Sequence, residues 1–324
     1  MARTATLRQH GGPEVIEWTH VTLPPPGVGE VRMRNTVVGL NYIDTYHRRG
    51  IYPVAMPTGL GIEAAGVVEA VGDGVSGLVV GQRVCTFGPM LGAYSSARNI
   101  AATALFATPD EISDEIAAAA LLKGCTTEFL VERCAKVEAG QAVLVHAAAG
   151  GVGLLLVQWL KSAGALVIGT VSTAEKAALA RAAGADHVIN YAEEPTAKRV
   201  RELTNGAGVR VTFDGVGMDT WEASLDATGR RGLIVSYGNA SAPVTGISLG
   251  VLAAKGSLYN TRPTLFDYYT HPGERSAGCA RLFGKLKDGS LTVSISQRYA
   301  LEDAAQAHLD LEGRATTGST VLLV

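Results

Sequence analysis

The segment Val143-Leu144-Val145-His146-Ala147-Ala148-Ala149-Gly150-Gly151-Val152-Gly153 joins a β-branched run to three closely spaced glycines. A strand–turn–helix junction of this kind suits a dinucleotide pyrophosphate. Glycine lets the backbone approach the phosphates, and the helix N-terminus offers unused N–H groups and a positive dipole end. Against G-x-G-x-x-G the segment reads Ala148-x-Gly150-x-x-Gly153, so alanine stands at the first glycine. Gly150 is expected to admit the pyrophosphate, and Gly153 to let the helix pack close to the strand. His146 falls in the strand and is expected to be a hydrogen-bonded core histidine; His10 and His47 are read the same way.

The end of the next strand selects the cofactor. A chain that binds NAD usually places Asp or Glu about 20 residues on, against the ribose 2′-OH. That neighbourhood is Gly169-Thr170-Val171-Ser172-Thr173-Ala174-Glu175-Lys176, with Val171 at the acidic position. Ser172 can donate to a 2′-phosphate, and Lys176 supplies positive charge one turn later. Glu175 can point away. The expected cofactor is NADPH.

Two kinds of element must position these residues. Residues 1 to about 120 carry short β-branched runs (Glu30–Val38, Ala65–Val71, Gln82–Phe87) between Gly and Pro turns, which suggests a barrel-like module. Ser113 is an N-cap candidate for a helix through Ala117–Leu122, and a second helix is expected over Thr126–Lys136. Strands then alternate with helices, from Val143–His146 to Gly232–Tyr237, with a possible last strand at Ser257–Asn260. This βαβ rhythm predicts a parallel sheet flanked by helices. Beyond about residue 263 a helix at Gly278–Lys287, the segment Ser290–Tyr299, a helix at Leu301–Leu311 and a strand at Thr320–Val324 are expected to return to the first domain. The expected domains are 1–122, 123–262 and 263–324.

Composition narrows the class. A chain of 324 residues with 47% hydrophobic residues has enough apolar mass for two cores. The net charge of −2 leaves no basic excess for a nucleic-acid partner. Cys85, Cys125, Cys134 and Cys279 form no C-x-x-C pair and are expected to be reduced thiols. The N-terminus lacks an apolar signal core, so a cytoplasmic protein is expected. Val143–Leu160 is apolar and long enough to span a bilayer. Its central glycines favour a buried strand, turn and helix instead.

The order of a β-rich module, a Rossmann insert and a C-terminal return resembles the medium-chain dehydrogenase/reductase superfamily. Where its zinc enzymes carry G-H-E, this chain has Gly61-Ile62-Glu63. Gly39–Asp44 lacks the upstream cysteine ligand, and Phe87–Tyr94 lacks the cysteines of a structural zinc lobe. No metal is expected. Closer still is the resemblance to the quinone oxidoreductase (zeta-crystallin-like) family of NADPH:quinone reductases. It is carried by His10–Val15, Asn41–Tyr46, Gly59–Gly66, Leu91–Ser95, His146–Gly153, Arg231–Leu233, Thr261–Pro263 and Arg314–Ser319, so it covers the whole chain.

The resemblance implies an α/β protein with a Rossmann doubly wound parallel sheet inserted into a GroES-like β-barrel catalytic domain. It implies catalytic positions at Asn41, Tyr46 and Tyr52, with Asn41–Tyr46 lining the nicotinamide side of an interdomain cleft. Cofactor positions are Tyr42, Asp44, Phe129, Gly150, Gly151, Val152, Gly153, Ser172, Lys176, Tyr191, Tyr237, Asn239 and Arg314. Tyr191, just past a strand end, and Arg314, a bidentate phosphate fork in a Gly-flanked loop, suit this on their own chemistry. Asn41 and Asp44 are also common turn formers, and Tyr46 and Tyr52 common fillers beneath a loop. The implied reaction is NADPH-dependent reduction of a quinone, by a homodimer paired through the Ser257–Asn260 edge. The alternatives are an enone or 2-alkenal reductase needing an acid such as Tyr46 or Tyr52, and the lens or RNA-binding roles some relatives take.

Overall fold

Alternation of inward apolar and outward polar residues builds the first sheet. Val31, Met33, Asn35, Val37, Val38 and Leu40 are buried along one strand, while Arg32, Arg34 and Thr36 reach toward the surface. The computed structural model describes residues 1–271 and 273–324. It divides into one unit of Met1–Cys125, His271–Lys287 and Val293–Val324, and another of Thr126–Thr270 and Asp288–Thr292.

The first unit opens with β1 (Ala2–Thr6), β2 (Glu17–Val21), β3 (Glu30–Leu40), α1 (Tyr42–Arg49), β4 (Glu63–Val71), β5 (Arg83–Phe87), β6 (Ala97–Ala101), β7 (Leu105–Ala107) and α2 (Asp114–Glu128). In the second come β8 (Ala142–Val145), α3 (Gly151–Ser162), β9 (Leu166–Val171), α4 (Ala174–Ala182), β10 (His187–Asn190), α5 (Thr196–Leu203), β11 (Val209–Asp214), α6 (Trp221–Ala227), β12 (Thr228–Ser236), α7 (Gly250–Ala254), β13 (Tyr259–Thr261) and α8 (Leu265–Tyr268). The chain closes with α9 (Pro272–Lys287), β14 (Ile295–Ala300), α10 (Ala304–Glu312) and β15 (Ser319–Leu323).

β1 pairs with β2. A larger, mainly antiparallel sheet runs β14-β15-β3-β4-β5-β7, with β6 also on β3. Thr320 of β15 lies opposite Leu40 of β3, so the last strand completes the sheet of the first. Its core gathers Leu7, Val31, Met33, Val38, Leu60, Tyr94, Ile100 and Leu322. Each such buried aliphatic side chain contributes about 1.5–3 kcal/mol of transfer free energy.

The second unit holds a parallel sheet of order β10-β9-β8-β11-β12-β13. Counted within the unit this is 3-2-1-4-5-6, the dinucleotide-binding order, and the direction of winding reverses between β8 and β11. Leu144, Ile168, Ile189 and Val209 on the strands pack with Val200 of α5.

Three expectations are corrected. No break separates two helices at residues 123–125. α2 runs to Glu128 and continues as a π-helix, Phe129–Ala135. Gly124 does not interrupt it, because its missing side chain makes room for Leu282, whose Cδ1 would lie 2.4 Å from a Cβ there. Asn41 and Asp44 do not form an isolated turn but begin α1. The second long helix also starts earlier than Gly278, at Pro272. The Val143–Leu160 stretch is a strand, turn and helix, and no helix among the described residues is long and apolar enough to cross a membrane. All four cysteines are free thiols.

Candidate functional site

In the second unit the turn after β8 passes through Ala147 at φ 51°, then Gly150 as the N-cap of α3. A Cβ on Gly153 would lie 2.2 Å from Ala147 O, so the helix rests on the turn with space for no side chain. No side chain caps α3, and its first-turn N–H groups remain donors for an acceptor outside the helix. Ser172 follows the end of β9, and Thr173 caps α4 by accepting from the Lys176 N–H at 3.3 Å. Tyr191 follows β10 and is exposed. Tyr237 follows β12. With its amide turned so that both of its atoms are satisfied, Asn239 donates to Gly238 O (2.9 Å) and accepts from Arg262 Nη2 (3.3 Å). Gly150–Gly153, Ser172, Tyr191, Tyr237 and Asn239 therefore lie beyond the carboxyl ends of parallel strands, where α/β folds bind ligands. Phe129 is buried on the π-helix against Tyr268, with ring centroids 5.0 Å apart.

Beneath these strand ends His146 is buried, with Nδ1 on Thr170 Oγ1 (3.0 Å) and Nε2 on Ser224 Oγ (3.1 Å). Burial holds its pKa down. Ser224 donates to Asp214 Oδ2 (2.7 Å). His146 is thus a satisfied core histidine. His10 and His47 are not: His10 is exposed, and His47 is half-buried with an unpartnered Nδ1.

In the first unit α1 carries the tyrosines. Tyr42 and Tyr46, four residues apart on one helix face, have centroids 5.6 Å apart, and Tyr52 meets Tyr46 edge-on at 5.2 Å. Asn41, the N-cap, donates from Nδ2 to Glu63 Oε2 (2.7 Å). Its backbone N–H donates to Asp44 Oδ2 (2.9 Å). Glu63 is fully buried and also accepts from the Leu122 N–H (2.6 Å); Lys123 Nζ lies 3.7 Å from Oε2. A Cβ on Gly39 would sit 2.4 Å from that carboxylate oxygen, so only glycine fits beside it.

Burial raises Asp44 to about 7, against the opposing pull of its hydrogen bonds from Asn41 and Tyr94. Burial also raises Tyr42; Glu312 adds to the rise, while Arg314 and Arg49 oppose it. Arg314, at φ 60°, is therefore within electrostatic reach of Tyr42. The structure brings Asn41, Tyr42, Asp44, Tyr46, Tyr52 and Arg314 into one region of this unit.

Comparison with known proteins places this arrangement. Residues 27–131 match the alcohol dehydrogenase GroES-like domain model, and residues 151–263 the zinc-binding dehydrogenase model. The chain is 51% identical to a quinone oxidoreductase of Pseudomonas aeruginosa over the full length of both. The chain belongs to the quinone oxidoreductase family. This family member is an oxidoreductase with a GroES-like domain and a Rossmann domain. The crystal structure of Escherichia coli quinone oxidoreductase complexed with NADPH superposes with a TM-score of 0.97 at 47% identity, covering all of both chains. A 2-haloacrylate reductase of a Burkholderia species is 44% identical over all of this chain and 99% of that one. The donor set for zinc does not fit: Ile62 is a buried aliphatic side chain, the Asn41 amide is engaged by Glu63, and no group of three or more His, Cys, Asp or Glu converges among the described residues.

Sequence reasoning missed Glu63 and Lys123 as supports for Asn41. It also missed Tyr94, His308, Arg48 and Glu312. One signal was available: Asn41 with Asp44 three residues on, then Arg48-Arg49-Gly50, spells a capped helix start and a helix end. No local signal marks Tyr94 or His308.

Proposed function

We propose that this chain reduces quinones with NADPH, in the cytoplasm and as a homodimer. The observation that carries the reading is the full-length match to quinone oxidoreductases together with the NADPH-bound relative of the same fold. Bound NADPH supplies the reducing equivalents. Gly150, Gly151, Val152 and Gly153 present the α3 N–H groups to the pyrophosphate, and the bare glycine surface lets it approach. The Ser172 hydroxyl and the Lys176 ammonium hold the 2′-phosphate, with Tyr191 beside it. Arg314 offers its guanidinium fork to a phosphate. Tyr237 and Asn239 border the nicotinamide. Tyr42, Tyr46 and Tyr52 offer flat apolar faces to a ring-shaped acceptor, and Asn41 and Asp44 set the start of the helix that carries the first two. Catalysis is then largely orientation in a dry site. The exposed Tyr259 on β13, at the open edge of the parallel sheet, supports pairing of two copies there.

A second reading is reduction of an electron-poor alkene, supported by the 2-haloacrylate reductase relative. It needs a proton donor toward carbon, for which Tyr46 or Tyr52 are the candidates. Absorbance of reduced nicotinamide, followed with NADPH or NADH and with a benzoquinone, a phenanthrenequinone or a trans-2-alkenal, separates the readings. Oxidation of NADPH by quinones alone is expected. Turnover with the alkenal alone would move the chain to the alkene reductases.

A further inference from the structure

A buried hydrogen-bond chain behind α1 has a direction that the atoms themselves impose. Arg48 is buried and has only donors. Its Nη1 lies 3.0 Å from His308 Nδ1, so that nitrogen must accept. Burial, reinforced by the Arg48 cation, holds His308 down to about 3, so the ring is neutral and carries its one proton on Nε2. Nε2 lies 2.9 Å from Tyr94 Oη and donates to it. Tyr94 must then spend its own proton on Asp44 Oδ2, 3.1 Å away. The Asn41 N–H donates to the same oxygen at 2.9 Å. At the far end Arg48 Nη2 is anchored by Glu312 Oε2 at 2.7 Å, and Arg49 stands 3.6 Å from the other oxygen.

Two donors already occupy Asp44 Oδ2, so a proton on this carboxyl has to sit on Oδ1. That atom is buried and has no partner. The ionised carboxylate binds both donors strongly and holds the first turn of α1. The neutral acid binds them weakly and leaves its own O–H without an acceptor, so it fixes the position of that turn less closely while staying buried. The other groups facing Asp44 are Lys123, which favours ionisation, and Glu63, which opposes it. Burial, offset in part by the bonds from Asn41 and Tyr94 and by these two charges, leaves Asp44 close to balance near neutrality.

We propose that Tyr94, His308 and Arg48 are positioning residues that act through Asp44, and that protonation of Asp44 at Oδ1 weakens the two hydrogen bonds that fix the first turn of α1 without exposing it, so that the placement of Tyr42 and Tyr46 depends on pH. The chain takes no part in bond making. It rests on the reading of α1 as part of the reducing site, and its test separates the two. Infrared spectra of the apoprotein across pH 5–9, referenced to Asp44→Asn, read the Asp44 carboxyl directly. kcat/KM for a benzoquinone with NADPH over the same range reads its effect.

Tyr94→Phe removes the donor to Oδ2, and His308→Leu removes the donor to Tyr94. Tyr94→Phe is expected to move the Asp44 titration up by roughly one unit, and His308→Leu by less because Tyr94 still donates, with the acid limb of kcat/KM moving alongside. His308→Gln can accept from Arg48 through its carbonyl and donate to Tyr94 through its amide, so it is expected to restore both. Activity in Tyr94→Phe should fall several-fold more at pH 6.5 than at pH 8.5. An Asp44 titration identical in wild type and Tyr94→Phe would overturn the proposal, as would an equal loss of kcat/KM at every pH. If His308→Leu does not fold, Tyr94→Phe and His308→Gln carry the comparison. If the wild type reduces no quinone, the functional reading falls, and the infrared titration alone still decides the chain.

Discussion

Replacing Gly153 by alanine puts a methyl group 2.2 Å from Ala147 O and 2.9 Å from Ala148 Cα. Ordinary non-bonded carbon contacts lie near 3.5–4 Å, so helix and turn must separate by roughly 1 Å. Overpacking against backbone of this kind costs about 1–3 kcal/mol. Alanine returns about 1 kcal/mol of helix propensity, leaving a net loss of roughly 1–2 kcal/mol. For a unit of this size that lowers Tm by about 2–8 °C. The same displacement carries the α3 N–H groups away from the pyrophosphate. Losing one charge-assisted bond of about 1.5–3 kcal/mol weakens NADPH about ten- to hundredfold. Gly150→Ala is the control. Its φ is −79° and its Cβ would lie 3.3 Å from Ala147 O, so stability should barely change while the methyl obstructs the phosphate. Thermal unfolding and fluorescence titration with NADPH measure the two effects. A Gly153→Ala protein with wild-type Tm and wild-type affinity would refute the close-contact reasoning.

Two other substitutions test separate parts of the argument. Lys176→Glu should raise the Kd for NADPH at least about tenfold and leave that for NADH unchanged; equal affinities of wild type and variant for NADPH would remove Lys176 from the 2′-phosphate site. Asp44, raised from 3.8 to about 7 by burial, holds its proton in the folded state where the unfolded chain has released it. Its contribution to stability is therefore full below about pH 4 and is lost as pH rises to about 7. Asp44→Asn should remove that slope, so the stability difference between variant and wild type, followed by chemical denaturation from pH 4 to 8, should change in the variant's favour as pH rises. A difference constant with pH would show that Asp44 is not shifted upward.

The Rossmann half was legible because its signals are local. β-branched runs, glycine punctuation and helix spacing depend on neighbours in sequence, and α6 at Trp221–Ala227 falls where the pattern places it. Ser113 likewise caps α2 as expected, accepting from the Ile116 N–H at 3.2 Å. The helix at Tyr42–Arg49 was less legible. Its eight residues include two β-branched residues, two tyrosines and a histidine, poor helix formers that hide the capped ends. The run at Phe129–Ala135 was read as helix, but its π form is set by packing that the sequence pattern does not carry.

By itself the sequence determined the alternation of strand and helix, the glycine turn, the missing acid at Val171 with Ser172 and Lys176 beside it, and the family. Each is a matter of residue type at short spacing. Only the tertiary structure decided what supports the tyrosine helix. Tyr94 lies 50 residues from Asp44 and 214 from His308, and Arg48 lies 260 from His308. Hydrogen bonds require donor and acceptor within about 3 Å and in line. Nothing in residue type or spacing sets such distances across the chain until β15 returns to β3 and α10 brings His308 to Tyr94.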